Sequence, residues 1–241
     1  MVLWYCEPDN SYHRIGLGTP ENLEALREVD RQFARILARE AEKPEADRLH
    51  IVTLSDHGMV TLRGKKLDLT SKFEEAGFTV GDTTENGADV ALALASAGGV
   101  YVRNSDPALI GKVVTWLQRQ DWCGPLFTKN HSNTLSQTHI FTNHRRAADI
   151  SLILNSDNAR NQFGIEGTTV HDCSYPEGGG MHGGLHEQEV RTWLAIQGAG
   201  IRSAYRSPIP AANVDILPTV LHLLGIEIPP HIQGRLLTEA L

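Results

Sequence analysis

Apolar positions along this chain fall into short runs and spaced sets, with polar or glycine-rich breaks between them. Val2 to Cys6 is nearly all apolar and reads as a β-strand that begins almost at the first residue. A polar loop, Glu7 to Gly18, follows. Thr19-Pro20-Glu21 then offers an N-cap hydroxyl, a proline at the first helical position and an early acid. Leu23, Leu26, Phe33, Ile36 and Leu37 recur at helical spacing, so an amphipathic helix is predicted from Pro20 to about Glu42. Leu49 to Leu54 is a β-rich run that stops abruptly at Ser55-Asp56-His57-Gly58.

From Arg63 to about Asp149 the texture changes to short strands and helices. Val90–Leu94 and Val100–Val102 read as strands around Gly98-Gly99. A helix is predicted after Pro107 from Leu109, Ile110, Val113, Val114 and Leu117. Ile150–Leu154 resumes as a strand, Gly178-Gly179-Gly180 forms a loop, and Val190–Ile196 reads as a further strand. A short helix, Asp215 to Leu224, stops at Gly225. The pattern implies an α/β fold, with residues 1–62 and 149–241 as its core. Residues 63–148 form a small α+β inserted subdomain.

Composition narrows the function classes. Forty-one per cent of the 241 residues are hydrophobic and 21% charged, which fits a globular α/β protein. The net charge is −7, and the basic residues form no stripe, so docking of nucleic acid is not expected. No apolar run approaches the ~18 residues of a membrane helix, and the start has no basic segment ahead of a long apolar one, so no signal peptide is read. The three cysteines, Cys6, Cys123 and Cys173, contain no Cys-x-x-Cys pair, so neither a disulfide framework nor a cysteine metal site is indicated.

Candidate chemistry sits in three islands: Asp9 with His13, Asp56 with His57, and His182 in Gly180-Met181-His182-Gly183-Gly184. Each places Asp or His after a predicted strand or in a glycine-rich loop, where an open α/β sheet collects functional groups. Zinc takes such nitrogen and oxygen ligands, and two ions about 3.5–4 Å apart can clamp the oxygens of a phosphoryl transfer. Singly, each island also reads as a turn former, a surface histidine or a flexible loop. His186, four residues after His182, reads as a surface residue or a support for the ligands, because Gly183-Gly184 argue against a zinc-binding helix.

The order of the islands carries a resemblance. Glu7-Pro8-Asp9 with His13 and Gly16, then Ser55-Asp56-His57-Gly58-Met59, then Gly180-Met181-His182-Gly183, resemble the type I phosphodiesterase/nucleotide pyrophosphatase branch of the alkaline phosphatase superfamily. Asp215-Ile216-Leu217-Pro218-Thr219, Leu223-Leu224-Gly225-Ile226 and Gly234-Arg235 resemble the superfamily's C-terminal signature. The resemblance implies an alkaline-phosphatase-like mixed or parallel sheet flanked by helices, N-terminally incomplete here. Asp9, His13 and His182 would hold one zinc, and Asp56 and His57 a second.

The implied activity is hydrolysis of a phosphorylated small molecule such as a phosphodiester or nucleotide. In the family pattern the Thr or Ser nucleophile and a further aspartate lie before the first island, and no Asp, Ser or Thr precedes Glu7. Thr19, Thr53 and Ser55 are the hydroxyls near the islands. One tightly held zinc at most is therefore expected, and three readings stay open: a C-terminal portion of a longer enzyme, a chain completed by another polypeptide, or a non-catalytic zinc-binding remnant. Sulfatase-like and phosphomutase-like members of the superfamily remain alternatives within the enzymes. A true start at Met1 implies cytoplasm, and a further N-terminal segment would imply periplasm or secretion. An exposed sheet edge would favour association.

Overall fold

Period-two burial builds the larger sheet. Ile150, Leu152 and Leu154 bury one face of their strand, and Val90, Val100 and Val102 do the same on two neighbours. These strands belong to a computed structural model that describes residues 1–142 and 144–241 and divides into two compact units. The first unit comprises Met1–Arg31 and His57–Arg191, the second Gln32–Asp56 and Thr192–Leu241.

Within the first unit a six-stranded sheet runs in the order Val80–Gly81, Val90–Leu94, Ala97–Val102, Ile150–Leu154, Cys123–Thr128, Leu135–Ser136. Its outermost pairings are parallel and its inner ones antiparallel. The helices Leu69–Glu75 and Pro107–Leu117 contribute Leu69, Phe73, Val113, Val114 and Leu117 to its core. Asp106 caps the second of them, its carboxylate accepting from Ala108 N at 2.9 Å. Ile150–Leu154 pairs with Ala97–Val102, so residues on both sides of the sequence-based boundary at 148/149 share one sheet.

A smaller four-stranded sheet positions the candidate chemistry. Its order is Gly180–Met181, Val60–Leu62, Glu166–Thr169, Ser156–Arg160. Val60, Thr61 and Leu62 are all buried, and Gly180–Met181 lies antiparallel to Val60–Thr61. His182 directly follows one of these strands and His57 precedes the other by three residues. Two islands far apart in sequence are thereby brought to one end of a strand pair.

The N-terminal reading is corrected. Met1 to Cys6 forms no strand, and Val2 and Trp4 are 94% and 81% exposed. An apolar run becomes a strand only when its N–H and C=O groups find a ladder partner, and no strand of the described residues pairs with it. Glu7 to Gly18 is not a loop throughout: Asp9–Ile15 is helical, with Glu7 Oε2 accepting from Ser11 N at 3.0 Å over its first turn. Val190 ends a helical turn, Glu187–Val190, and the strand after it is Leu194–Gln197. The helix Pro20–Ala41 forms as predicted, with Thr19 Oγ1 accepting from Asn22 N at 3.1 Å. No helix of the described residues is long and apolar enough to cross a membrane.

In the second unit Ile51–Leu54 pairs antiparallel with Leu194–Gln197. Its tail is organised by Asp215, a buried acid. One carboxylate oxygen accepts from Arg235 N at 2.8 Å and the other from Ala212 N at 2.9 Å. The Asp215 carbonyl accepts from Thr219 Oγ1 at 2.7 Å, and that hydroxyl accepts from Leu237 N at 3.1 Å. Gly234 is needed there, because its φ is +92° and a Cβ would lie 2.3 Å from Val214 O. The C-terminal signature read from the sequence is thus a hydrogen-bonded clasp. Asp215→Ala leaves two backbone N–H groups without their charged acceptor, and is expected to cost roughly 2–4 kcal/mol in urea unfolding.

Candidate metal centre

Asp9 and His13 stand four residues apart on the helix Asp9–Ile15, a spacing that puts both side chains on one face. His13 Nε2 lies 3.4 Å from Asp9 Oδ2. The imidazole is buried, stacked on the Tyr175 ring at 4.4 Å and 11°. Its Nδ1 is 2.8 Å from the Gly180 carbonyl oxygen. A carbonyl can only accept, so Nδ1 carries the proton and donates, and in the neutral ring Nε2 turns a lone pair toward the carboxylate. Metal-binding histidines are oriented in this way, by a donor bond from the ring nitrogen that does not face the metal.

His182 closes the group. Its Nε2 lies 3.6 Å from Asp9 Oδ1, and one ligand atom each from Asp9, His13 and His182 all fall within 4.8 Å of one another. Asp9 Oδ1 is buried with no hydrogen-bond partner. A buried carboxylate oxygen without a donor is costly, and a cation between the carboxylate and the two imidazoles would relieve it. The donor set, two nitrogens and one carboxylate, suits zinc with a coordination position left open.

The glycine run before His182 serves close approach rather than mobility. A Cβ on Gly179 would meet His13 O at 2.4 Å, and one on Gly16 would meet Gly178 O at 2.3 Å. Only bare backbone lets the helix that carries Asp9 and His13 lie against this segment.

The five sequence-predicted residues are brought together in part. Asp9, His13 and His182 converge. His57 is not in that group, but its ring stacks on His182 with centroids 3.6 Å apart and planes at 14°. Asp56 is not in it either; it is exposed and belongs to the second unit, where its carbonyl accepts from Asn213 Nδ2 at 3.3 Å. His186 is buried: Nδ1 accepts from Gln188 N at 3.1 Å, capping Glu187–Val190, and Nε2 meets Asn158 Oδ1 at 2.9 Å.

Sequence reasoning missed Tyr175, the Gly180 carbonyl and Glu189. Glu189 is buried, and desolvation pushes its carboxyl above the usual range while the Gly184 and His186 amides pull it back. Its signal was present as a capping box, an acid three residues after the cap, disguised because the cap is His186 and not Ser or Thr.

The family model described as "Type I phosphodiesterase / nucleotide pyrophosphatase" matches residues 1–184. The chain belongs to that family. Human ectonucleotide pyrophosphatase/phosphodiesterase family member 7 is 35% identical over 82 residues, which cover 34% of this chain and 18% of that protein. Murine ectonucleotide pyrophosphatase/phosphodiesterase 5 shares the fold with a TM-score of 0.67 at 15% identity, over 95% of this chain and 54% of that one. A solved variant of the alkaline phosphatase PafA aligns with a TM-score of 0.67 at 18% identity, over 97% of this chain and 46% of that one. The chain therefore has the mixed α/β, alkaline-phosphatase-like fold, and it spans about half the length of these solved structures.

Gly58, in the second island of this phosphodiesterase-family chain, gives a direct check on the packing. A Cβ there would lie 2.1 Å from Gln188 O and 2.6 Å from Arg191 O, both backbone atoms. Gly58→Ala is expected to destabilise the first unit by about 1–3 kcal/mol, the range for forced overpacking. Gly111→Ala, in a helix where a Cβ meets nothing closer than 3.6 Å, is expected to be neutral or stabilising by up to about 1 kcal/mol. Urea unfolding of the two variants checks the contrast.

Proposed function

We propose that this chain holds zinc through Asp9, His13 and His182 and uses it to bind the phosphoryl group of a phosphodiester or nucleotide, as part of a phosphodiesterase-type hydrolase. The observation that carries the reading is the convergence of two imidazole nitrogens on a carboxylate whose buried oxygen has no donor. Family membership supports the reaction class. A nucleotide substrate is supported by a solved inactive variant of murine ectonucleotide pyrophosphatase/phosphodiesterase 5 in complex with AMP.

The chain's own residues prepare the centre. The Gly180 carbonyl holds the His13 proton on Nδ1 and keeps Nε2 available. Tyr175 covers one face of that ring. Asp9 supplies the negative charge that offsets part of the charge of a dication. Zinc bound there supplies Lewis-acid polarisation of a phosphoryl oxygen. Asp56 and His57 are the candidates for a second, weaker zinc in this reading.

A non-catalytic metal-binding module is the second reading, and one observation favours it. Thr19 Oγ1 accepts from Asn22 N, and Ser55 Oγ accepts from Trp193 N at 3.2 Å. Both hydroxyls thus hold backbone amides, which is a structural role.

After zinc loading and dialysis, metal analysis of the purified chain is expected to find a single tightly held zinc, lost in His13→Ala and His182→Ala. Two stoichiometric zincs would overturn the one-ion reading, and none would overturn the centre. Hydrolysis of an aryl phosphodiester by the same sample, abolished by His182→Ala, establishes the enzyme; zinc retained without hydrolysis favours the module.

A further inference from the structure

Glu189 has no part in the ligand set, yet it is 3% exposed and its hydrogen bonds reach both histidine loops of the first unit. Its Oε2 accepts from His186 N at 3.0 Å, the reciprocal bond of the capping box. Its Oε1 accepts from Gly184 N at 2.9 Å. That second bond lies outside the box and adds nothing to the helix end. It grips the chain two residues after His182.

The backbone carbonyl of Glu189 accepts from Gly58 N at 2.7 Å, next to His57. The two loops meet where the His57 and His182 rings stack at 3.6 Å. The short helix is itself anchored to the strand Ser156–Arg160 through the His186–Asn158 bond.

We propose that Glu189 is a positioning residue of the metal centre, clamping the His182 loop through its carboxylate and the His57–Gly58 turn through its carbonyl. The inference rests on the metal reading above and deepens it. A carboxylate is required because two neighbouring N–H groups need two acceptor oxygens. A glutamine would offer one oxygen and turn its NH2 toward the other donor. The close seating of the carboxylate shows at Gly184, where a Cβ would lie 2.6 Å from Oε2.

Co²⁺ binding, followed by visible absorption and competed with Zn²⁺, tests the clamp in the full chain. Supports of metal ligands are typically worth about 10–100-fold in affinity. Glu189→Gln is expected near the lower end of that range and Glu189→Ala near the upper, both with an altered Co²⁺ spectrum. Val114→Ala, in the core of the six-stranded sheet, is expected to lower Tm while leaving affinity and spectrum unchanged, which separates positioning from general destabilisation.

A folded Glu189→Ala or Glu189→Gln chain with wild-type Co²⁺ affinity and spectrum overturns the proposal. A wild-type chain that takes up neither metal overturns the reading beneath it instead. The clamp is then decided by amide hydrogen exchange in the metal-free chain. Faster exchange at Gly184 and His186 in Glu189→Gln supports it, and unchanged exchange refutes it.

Discussion

The hydrogen bond from His13 Nδ1 to the Gly180 carbonyl, 2.8 Å across 167 positions of sequence, is the contact on which the centre depends. Its net contribution to stability is about 1 kcal/mol, but it sets three things together. It fixes the proton on one ring nitrogen, aims the other at Asp9, and ties the helix that carries Asp9 and His13 to the strand that ends at Met181. Bare backbone at Gly16 and Gly179 makes that approach sterically open. Pairing of Gly180–Met181 with Val60–Thr61 then carries the His57 turn to the same place.

In the proposed reading the acidic chain needs no basic cluster to meet a phosphate, because the positive charge would arrive with the ion. None of the three cysteines is in the group formed by Asp9, His13 and His182. All three are free; burial pushes the Cys123 thiol up to about 11, and Cys173 Sγ sits 3.3 Å from His171 Nδ1, a ring whose Nε2 meets Gly64 O.

The parts of this protein that are local in sequence were legible there. The capped helix after Thr19, the strand ending at Ser55, the helix after Pro107 and the order of the islands all follow from short-range spacing. The parts that depend on distant partners were not. Val2–Cys6 has the composition of a strand, but among the described residues no strand pairs with it, and the seven residues from Asp9 to Ile15 have too few apolar positions to show a helical period. Asp56 adjoins His57 in sequence, but the boundary between the two compact units falls between them. Gly58 is needed for close approach to the Gln188 and Arg191 carbonyls, which are far from it in sequence. The C-terminal signature was legible only as a family pattern, and its role as a clasp around Asp215 rests on hydrogen bonds from Ala212 and Arg235 that no spacing rule shows.

X-ray absorption at the zinc edge of the loaded chain addresses the central claim most directly. Ligation by His13, His182 and Asp9 predicts a nitrogen/oxygen shell at about 2.0–2.2 Å with the outer scattering of two imidazoles. A sulfur shell at about 2.3 Å, or a light-atom shell without imidazole scattering, would place the metal elsewhere and contradict the account.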